Sequence, residues 1–231
     1  MNTTNSILVI ASHPDDELLG CGGTMAKHSE NGDEVNILII AEGGTSRQQT
    51  RDRNSIKTYL NKLHKTAVNS GKILGINKVE LLDFPDNRLD SIDLLDLIKV
   101  IEDKINLLNP NIIYTHHHGD LNIDHQKVNQ AVITACRPIP GQVVKKILSF
   151  EVASSTEWNP IGSGFSFSPN YFVDISNQLD KKIEALKLYE EEMREWPHAR
   201  SIKAVEIQSL NRGAQIGVSA AEAFILLREI N

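Results

Sequence analysis

The chain has 231 residues, 40% of them hydrophobic, and carries a formal net charge of −6. That composition can fill a core, so it excludes a disordered chain or a disulfide scaffold, and the acidic balance disfavours nucleic acid or an anionic membrane as a partner. The two cysteines, Cys21 and Cys136, sit in apolar contexts with no CxxC spacing and are expected to be reduced and buried. The start "MNTTNS" has no basic region of a signal peptide, and no apolar run approaches the ~20 residues of a membrane span. A cytoplasmic protein is expected, with a homo-oligomer left open.

In chain order, short apolar runs alternate with longer amphipathic ones over the first 150 residues. Strands are predicted at Ile7–Ala11, Val35–Ala41, Val79–Asp83, Ile112–Thr115 and Ile147–Val152; their continuous β-branched character suits a parallel sheet covered on both faces. Helices are predicted between them at Leu18–Asn31, Thr50–Leu74, Ser91–Leu108 and Asp124–Cys136. In the third of these, Ile92, Leu95, Ile98, Ile101, Ile105 and Leu108 keep helical spacing. Turn residues follow each helix, as in "NGD" and "NPN". The tail reads differently: a Gly/Pro/Ser-rich loop at Glu157–Asn170, a strand in "YFVDIS", then helices at Asn177–Trp196, Arg200–Gly213 and Ala220–Ile230. The rhythm predicts an α/β, Rossmann-like, doubly wound and mostly parallel sheet. It is read as one domain over residues 1–231, with a core to about 152 and a C-terminal extension beyond.

Ligands of open α/β sheets bind beyond the carboxyl ends of the strands. "SHPDDE" follows the first strand there and "THHHGDLNIDH" follows the fourth. In the usual 3-2-1-4-5 strand order these two strands are neighbours, so the two polar clusters face each other. Adjacent carboxylates repel in one pocket unless a cation or separate roles relieve them. His13 and Asp16, three apart across a strand-to-helix turn, can reach one ion, and His125 at the start of the next helix can supply a third ligand. This is the donor set and count of hydrolytic zinc sites. Asp15 then stands beside the ion as a candidate general base. Taken alone, "HPDDE" is also compatible with a helix start whose acids complement the helix dipole. His116 at a strand end can equally fill space or bond backbone. "GCGGTMAK" lacks both the phosphate-loop and the dinucleotide fingerprints, and its glycines suit close helix–sheet packing. HExxH and GxSxG are absent from the sequence.

"ASHPDDELLGCGGT" together with "HHHGDLNIDH" resembles the PIG-L/LmbE-like zinc deacetylases. "DFPDNRLD", "SFEVASSTEW", "FSPNYFVDIS" and "RGAQIGVSAAEAF" look like a bacterial subgroup associated with sugars and surface glycans. The resemblance implies that His13, Asp16 and His125 bind Zn2+ (with Fe2+ or Co2+ compatible), that Asp15 is the base, and that an acetamido sugar or its conjugate loses its N-acetyl group. Many family members have a histidine three residues before the third ligand; here Asn122 stands there. Asparagine donates a hydrogen bond to an oxyanion but delivers no proton, which leaves His117, His118 or Asp15 for the departing amine. Asp124 can orient a ligand or cap its helix. Loops at the same edge offer substrate contacts: Arg47 and Arg53 as anion or hydroxyl binders, Asp86, Asn87 and Arg88 after the third strand, and Trp158 as a stacking platform. A zinc amidohydrolase acting on a non-sugar acylamine, and a non-catalytic nucleotide- or glycan-binding module, are the alternatives.

Overall fold

The computed structural model describes residues 4–160 and 165–231. Seven strands, β1 (Ser6–Ala11), β2 (Glu34–Ala41), β3 (Lys78–Phe84), β4 (Ile112–His116), β5 (Lys146–Phe150), β6 (Tyr171–Asp174) and β7 (Ala221–Glu229), form one sheet in the order β3-β2-β1-β4-β5-β7-β6. The first five are parallel, in the 3-2-1-4-5 order expected, and β7 and β6 add antiparallel at one edge. Helices α1 (Asp16–Glu30), α2 (Lys57–Leu74), α3 (Leu94–Leu108), α4 (Ile123–Ala135), α5 (Leu179–Lys187) and α6 (Ile202–Ile216) complete the fold.

Side chains on a strand alternate between faces, and here both faces are buried. Ile7 and Val9 of β1 join one apolar cluster with Leu18, Met25, Leu63, Ile183 and Leu186, beneath α1, α2 and α5. Leu8 and Ile10 join the other with Leu97, Ile101, Val128 and Val132, beneath α3 and α4. This is why the parallel strands read as unbroken apolar runs. Both cysteines are free and buried. At Gly20 a side chain would overlap the ring of Phe150, so this glycine lets α1 lie directly on β5.

Three predicted elements end differently. The run expected as a helix at Ala220–Ile230 is strand β7, paired with β5 through Ser149 and Ile225 and with β6 through Ala223 and Phe172. Its Ala, Glu and Leu content favours helix, but two waiting strand edges and the packing of Phe224 on Tyr114, 5.2 Å between ring centroids, outweigh that preference. The helix expected over Asn177–Trp196 stops at Lys187. Beyond it Tyr189 and Glu192 are held by Glu17, Tyr59 and Arg47, which pulls the chain out of the helical path. The second helix begins at Lys57 rather than Thr50, because Asp52 caps the amides of Asn54 and Ser55 in a preceding turn. Four residues of the predicted Gly/Pro/Ser loop, 161–164, lie outside the described residues.

One buried ion pair ties the tail to the core. Lys182 of α5 and Glu222 of β7, 3% and 4% exposed, meet at 2.7 Å. Helix α1 is kinked at Cys21 (φ −146°), and Glu222 accepts from the freed amides of Gly23 (2.9 Å) and Thr24 (2.7 Å), while Lys182 donates to the carbonyl of Leu19 (2.9 Å). Glu222→Leu therefore strands a buried ammonium and two amides. It is expected to cost about 3–5 kcal/mol, read as a fall in the urea midpoint with unchanged slope. A midpoint within error of the parent would refute this role for the pair.

Candidate metal centre

β1 and β4 are directly paired, Val9 against Tyr114, and their carboxyl ends deliver the two polar clusters to one place. After β1 the amide of Ser12 donates to His116 Nε2 (2.8 Å), which fixes that imidazole as an acceptor. Burial first, and then neighbouring His125, hold His116 well below the usual histidine range, so it stays neutral. It is a buried strut, stacked at 3.9 Å on His125.

The chain then turns through Asp15 in the left-handed region (φ 111°) before α1 begins at Asp16. Such a φ is costly for a residue with a Cβ. Its consequence is that the adjacent carboxylates diverge: Asp16 meets His13 and His125, and Asp15 meets Arg200. His13 Nδ1 and His125 Nε2 each lie 3.1 Å from Asp16 Oδ2. The three residues are buried and their donor atoms all lie within 4.8 Å of one another.

The histidines are backed by carboxylates on their far sides. His13 Nε2 is 3.0 Å from Asp124 Oδ2, and His125 Nδ1 is 3.2 Å from Asp120 Oδ1. This is the outer arrangement that orients metal-binding imidazoles and fixes their tautomer. Asp124 is itself held by the amides of Asn87 (2.7 Å) and Leu89 (2.9 Å). Asp120 accepts from Ser155, from Thr156 Oγ1 (2.6 Å) and from the Asn122 amide (2.8 Å).

A second cluster, His13 with Asp86 and Asp124, also converges. Its carboxylates are already satisfied, since Asp86 accepts from the amides of Gly44 (2.5 Å) and Ser46 (3.0 Å). The first cluster is not satisfied. Asp16 Oδ1 and both ring nitrogens of His125 are buried without a well-aligned hydrogen-bond partner. Buried polar atoms left this way are expensive. One divalent ion bound by two imidazoles and a carboxylate would engage Asp16 and His125 Nε2, and would leave His125 Nδ1–H directed at Asp120, so the residues present fit a metal.

The electrostatics agree. Against the burial that opposes both ions, His125 and His13 hold the Asp16 carboxyl well below the carboxylate range, and Asp16 lifts His125 to about 9. Here imidazole protons balance the carboxylate with the lone pairs that a cation would use. Asp15 behaves oppositely. Burial pushes it up to about 7, opposed by the Arg200 guanidinium, whose Nη1 is 3.1 Å from its Oδ2. Next to it, burial and Asp15 push Glu17 up to about 8.

The site opens into a polar cavity of about 160 Å³ lined by His13, Asp15, Arg47, Asp86, Asn87, Asn122, Glu192, Arg194 and Arg200, among others. Asn122 caps α4, accepting from the Asp124 amide (2.8 Å) and donating to Asn87 Oδ1 (2.8 Å). The remaining candidates lie elsewhere. His117 faces the carbonyl of Phe165 (2.8 Å), exposed His118 packs edge-on to the Phe165 ring, and neither lines the cavity. Arg53 is spent on Glu42 (2.6 Å) and Asp83 (2.7 Å), and Arg88 on the carbonyl of Gln48 (3.1 Å). Trp158 is 53% exposed and edge-on to His198. Arg47 lines the cavity but is paired with Glu192. Sequence reasoning missed Arg200, Glu192 and Asp120. Arg200 and Glu192 come from the tail expected to be helical, where no local pattern points to a site. Asp120 sits inside the histidine-rich run after β4 and was legible as a carboxylate near a ligand.

The GlcNAc-PI de-N-acetylase family model, PIG-L, matches residues 8–136. The uncharacterized deacetylase YaiS of Escherichia coli K12 is 32% identical over 192 residues, covering 80% of this chain and 91% of the relative. Diacetylchitobiose deacetylase of Thermococcus kodakarensis is 27% identical, covering 87% and 77%. Among solved structures, the 4-carboxy-2-hydroxymuconate hydratase GalB of Pseudomonas putida superposes with a TM-score of 0.74 at 22% identity, covering 99% and 98%. The fold is therefore shared with a different chemistry, and the reaction has to be argued from the site. Motif, fold and family match agree, and the chain belongs to the PIG-L family.

Proposed function

We propose that this chain is a divalent-metal-dependent hydrolase that removes the N-acetyl group from an acetamido sugar or sugar conjugate, releasing acetate and a free amine. The observation that carries it is the buried, under-satisfied His13–Asp16–His125 cluster with Asp15 beside it, at the mouth of a polar cavity. The sugar is supported by the family match and the chitobiose deacetylase relative.

His13, Asp16 and His125 would hold the ion, and two nitrogens with one carboxylate suit Zn2+, with Fe2+ and Co2+ also accepted. When bound, such an ion polarises the amide carbonyl and acidifies water. The chain's own residues do the rest. Asp124 and Asp120 keep the two imidazoles aimed inward. Arg200 engages Asp15 at Oδ2, and Asp15 Oδ1 is left to take the proton of the attacking water. That proton then passes from Asp15 to the nitrogen of the departing amine as the C–N bond breaks, so one carboxyl serves as base and then acid. Asn122 gives one amide hydrogen to Asn87, and its second is free to donate to the oxyanion.

An acylamine without a sugar is the second reading, since the His13–Asp16–His125 cluster and Asp15 serve the amide bond whatever the amine carries. An acetate-release screen over N-acetyl sugars and simple acyl amines, with zinc-loaded protein, decides between them. Asp15→Asn is expected to keep its metal and lose about a hundredfold or more in kcat; near-parental turnover would remove Asp15 from its role and favour a binding module. Asp120→Ala is expected to weaken zinc about 10–100-fold, read by competition with a chromophoric chelator. Unchanged affinity would mean that His125 needs no support from Asp120.

A further inference from the structure

Arg47 is a cation facing a candidate sugar cavity, yet its charge is already answered. Its Nη2 lies 3.0 and 2.9 Å from the two carboxylate oxygens of Glu192. Its Nη1 is 3.3 Å from the Tyr59 hydroxyl, which in turn donates to Glu192, and its guanidinium lies 5.7 Å from the centre of the Tyr59 ring. Tyr59 has little freedom. Gly44 sits at φ +100°, and a Cβ there would press into the Tyr59 ring. The Glu192 side chain is 13% exposed, against 52% for Arg47, so the carboxylate is the more enclosed partner.

The other charged groups around the cavity are engaged by one ion pair or by backbone groups. It is lined by the arginines 47, 194 and 200 and by the carboxylates Asp15, Asp86 and Glu192. Arg200 answers Asp15. Asp86 is held by backbone amides. Arg194, on the exposed rim, donates to the carbonyls of Glu191 (2.7 Å) and Met193 (3.1 Å).

We propose that Glu192 is a specificity-determining residue: as a built-in counter-ion to Arg47 it makes the cavity select acetamido sugars that are uncharged where they meet Arg47, and reject conjugates bearing a phosphate or carboxylate there. This rests on the deacetylase reading for its substrate. Arg47 Nη2 already serves both Glu192 oxygens, so an anion approaching Arg47 must either displace that carboxylate or sit beside it, placing like charges in contact. A neutral sugar displaces nothing. Its hydroxyls donate to the carboxylate oxygens and accept from the guanidinium edge, so the pair itself serves as the hydroxyl-binding surface.

The test compares methyl N-acetylglucosaminide with N-acetylglucosamine 1-phosphate, by acetate release (kcat/KM) and by calorimetric titration, in the zinc-loaded parent and in Glu192→Gln. Glutamine keeps the shape and can still bond Tyr59 and Arg47, but leaves the guanidinium unneutralised. The parent is expected to favour the neutral glycoside about tenfold or more, and Glu192→Gln to shift that ratio about tenfold or more toward the phosphate. Arg47→Gln, which leaves Glu192 in place without its cation, must shift it the other way. A parent that prefers the phosphate, or a ratio within about threefold of the parent in Glu192→Gln, overturns the proposal. If neither sugar is hydrolysed but the calorimetric ratio shifts as stated, the counter-ion role stands and the deacetylase reading falls. If both are hydrolysed and the ratio does not shift, the deacetylase reading stands and the counter-ion role falls.

Discussion

Everything at this site depends on burying the Asp16 carboxylate at the junction of two neighbouring strands. A lone carboxylate removed from water is among the costliest groups a fold can hold. This one is tolerated because two imidazoles reach one of its oxygens, His13 from its own turn and His125 from the start of α4. The second contact exists only because β1 and β4 are paired in the parallel sheet, which puts segments more than a hundred positions apart at one edge. The compensation is incomplete, since Asp16 Oδ1 and the His125 nitrogens remain without aligned partners. That residual deficit separates this candidate metal cluster from an ordinary buried ion pair and from the satisfied cluster around Asp86.

The left-handed turn at Asp15 answers the same constraint. Two adjacent acids buried in one pocket repel. With Asp15 at φ 111°, Asp16 enters the cluster and Asp15 turns to Arg200. Backbone strain here converts one repulsive pair into two groups with different environments, one held strongly acidic and the other lifted to about 7. Separated environments for neighbouring carboxyls are how a site obtains distinct acid–base roles from one residue type.

The parallel core was legible because its inner strands are buried on both faces, which leaves unbroken apolar runs such as Ile7–Ala11, and because the intervening helices carry 3.6-residue spacing. The same logic located His13, Asp16 and His125, since strand order alone makes their loops neighbours. The tail was not legible for two physical reasons. β7 is made of helix-favouring residues and is a strand only because β5 and β6 flank it, information that lies far away in the chain. The run after Lys187 has helical composition but is unwound by contacts of Tyr189 and Glu192 with α1, α2 and the turn bearing Arg47. Arg200 and Glu192, which shape the cavity, are therefore invisible to local periodicity, whereas Arg53 and Arg88, conspicuous in sequence, are consumed by nearby carboxylates and carbonyls.

One short turn after β5 links the two halves of the site. Ser154, itself in the left-handed region (φ 68°), accepts from Arg200 Nε at 2.7 Å, and Arg200 holds Asp15. The next two residues, Ser155 and Thr156, donate to Asp120, which backs His125. Glu157 closes the turn by accepting from the amides of Ser154 (2.6 Å) and Ser155 (3.3 Å). Three consecutive hydroxyl side chains thus brace both the candidate base and the third candidate ligand. The spacing between base and ligand is consequently braced by the turn after β5 and does not rest on the strained Asp15 turn alone. A strained turn can persist only where surrounding contacts over-determine it, and residues 154–157 supply that over-determination from outside the motif that the strain serves.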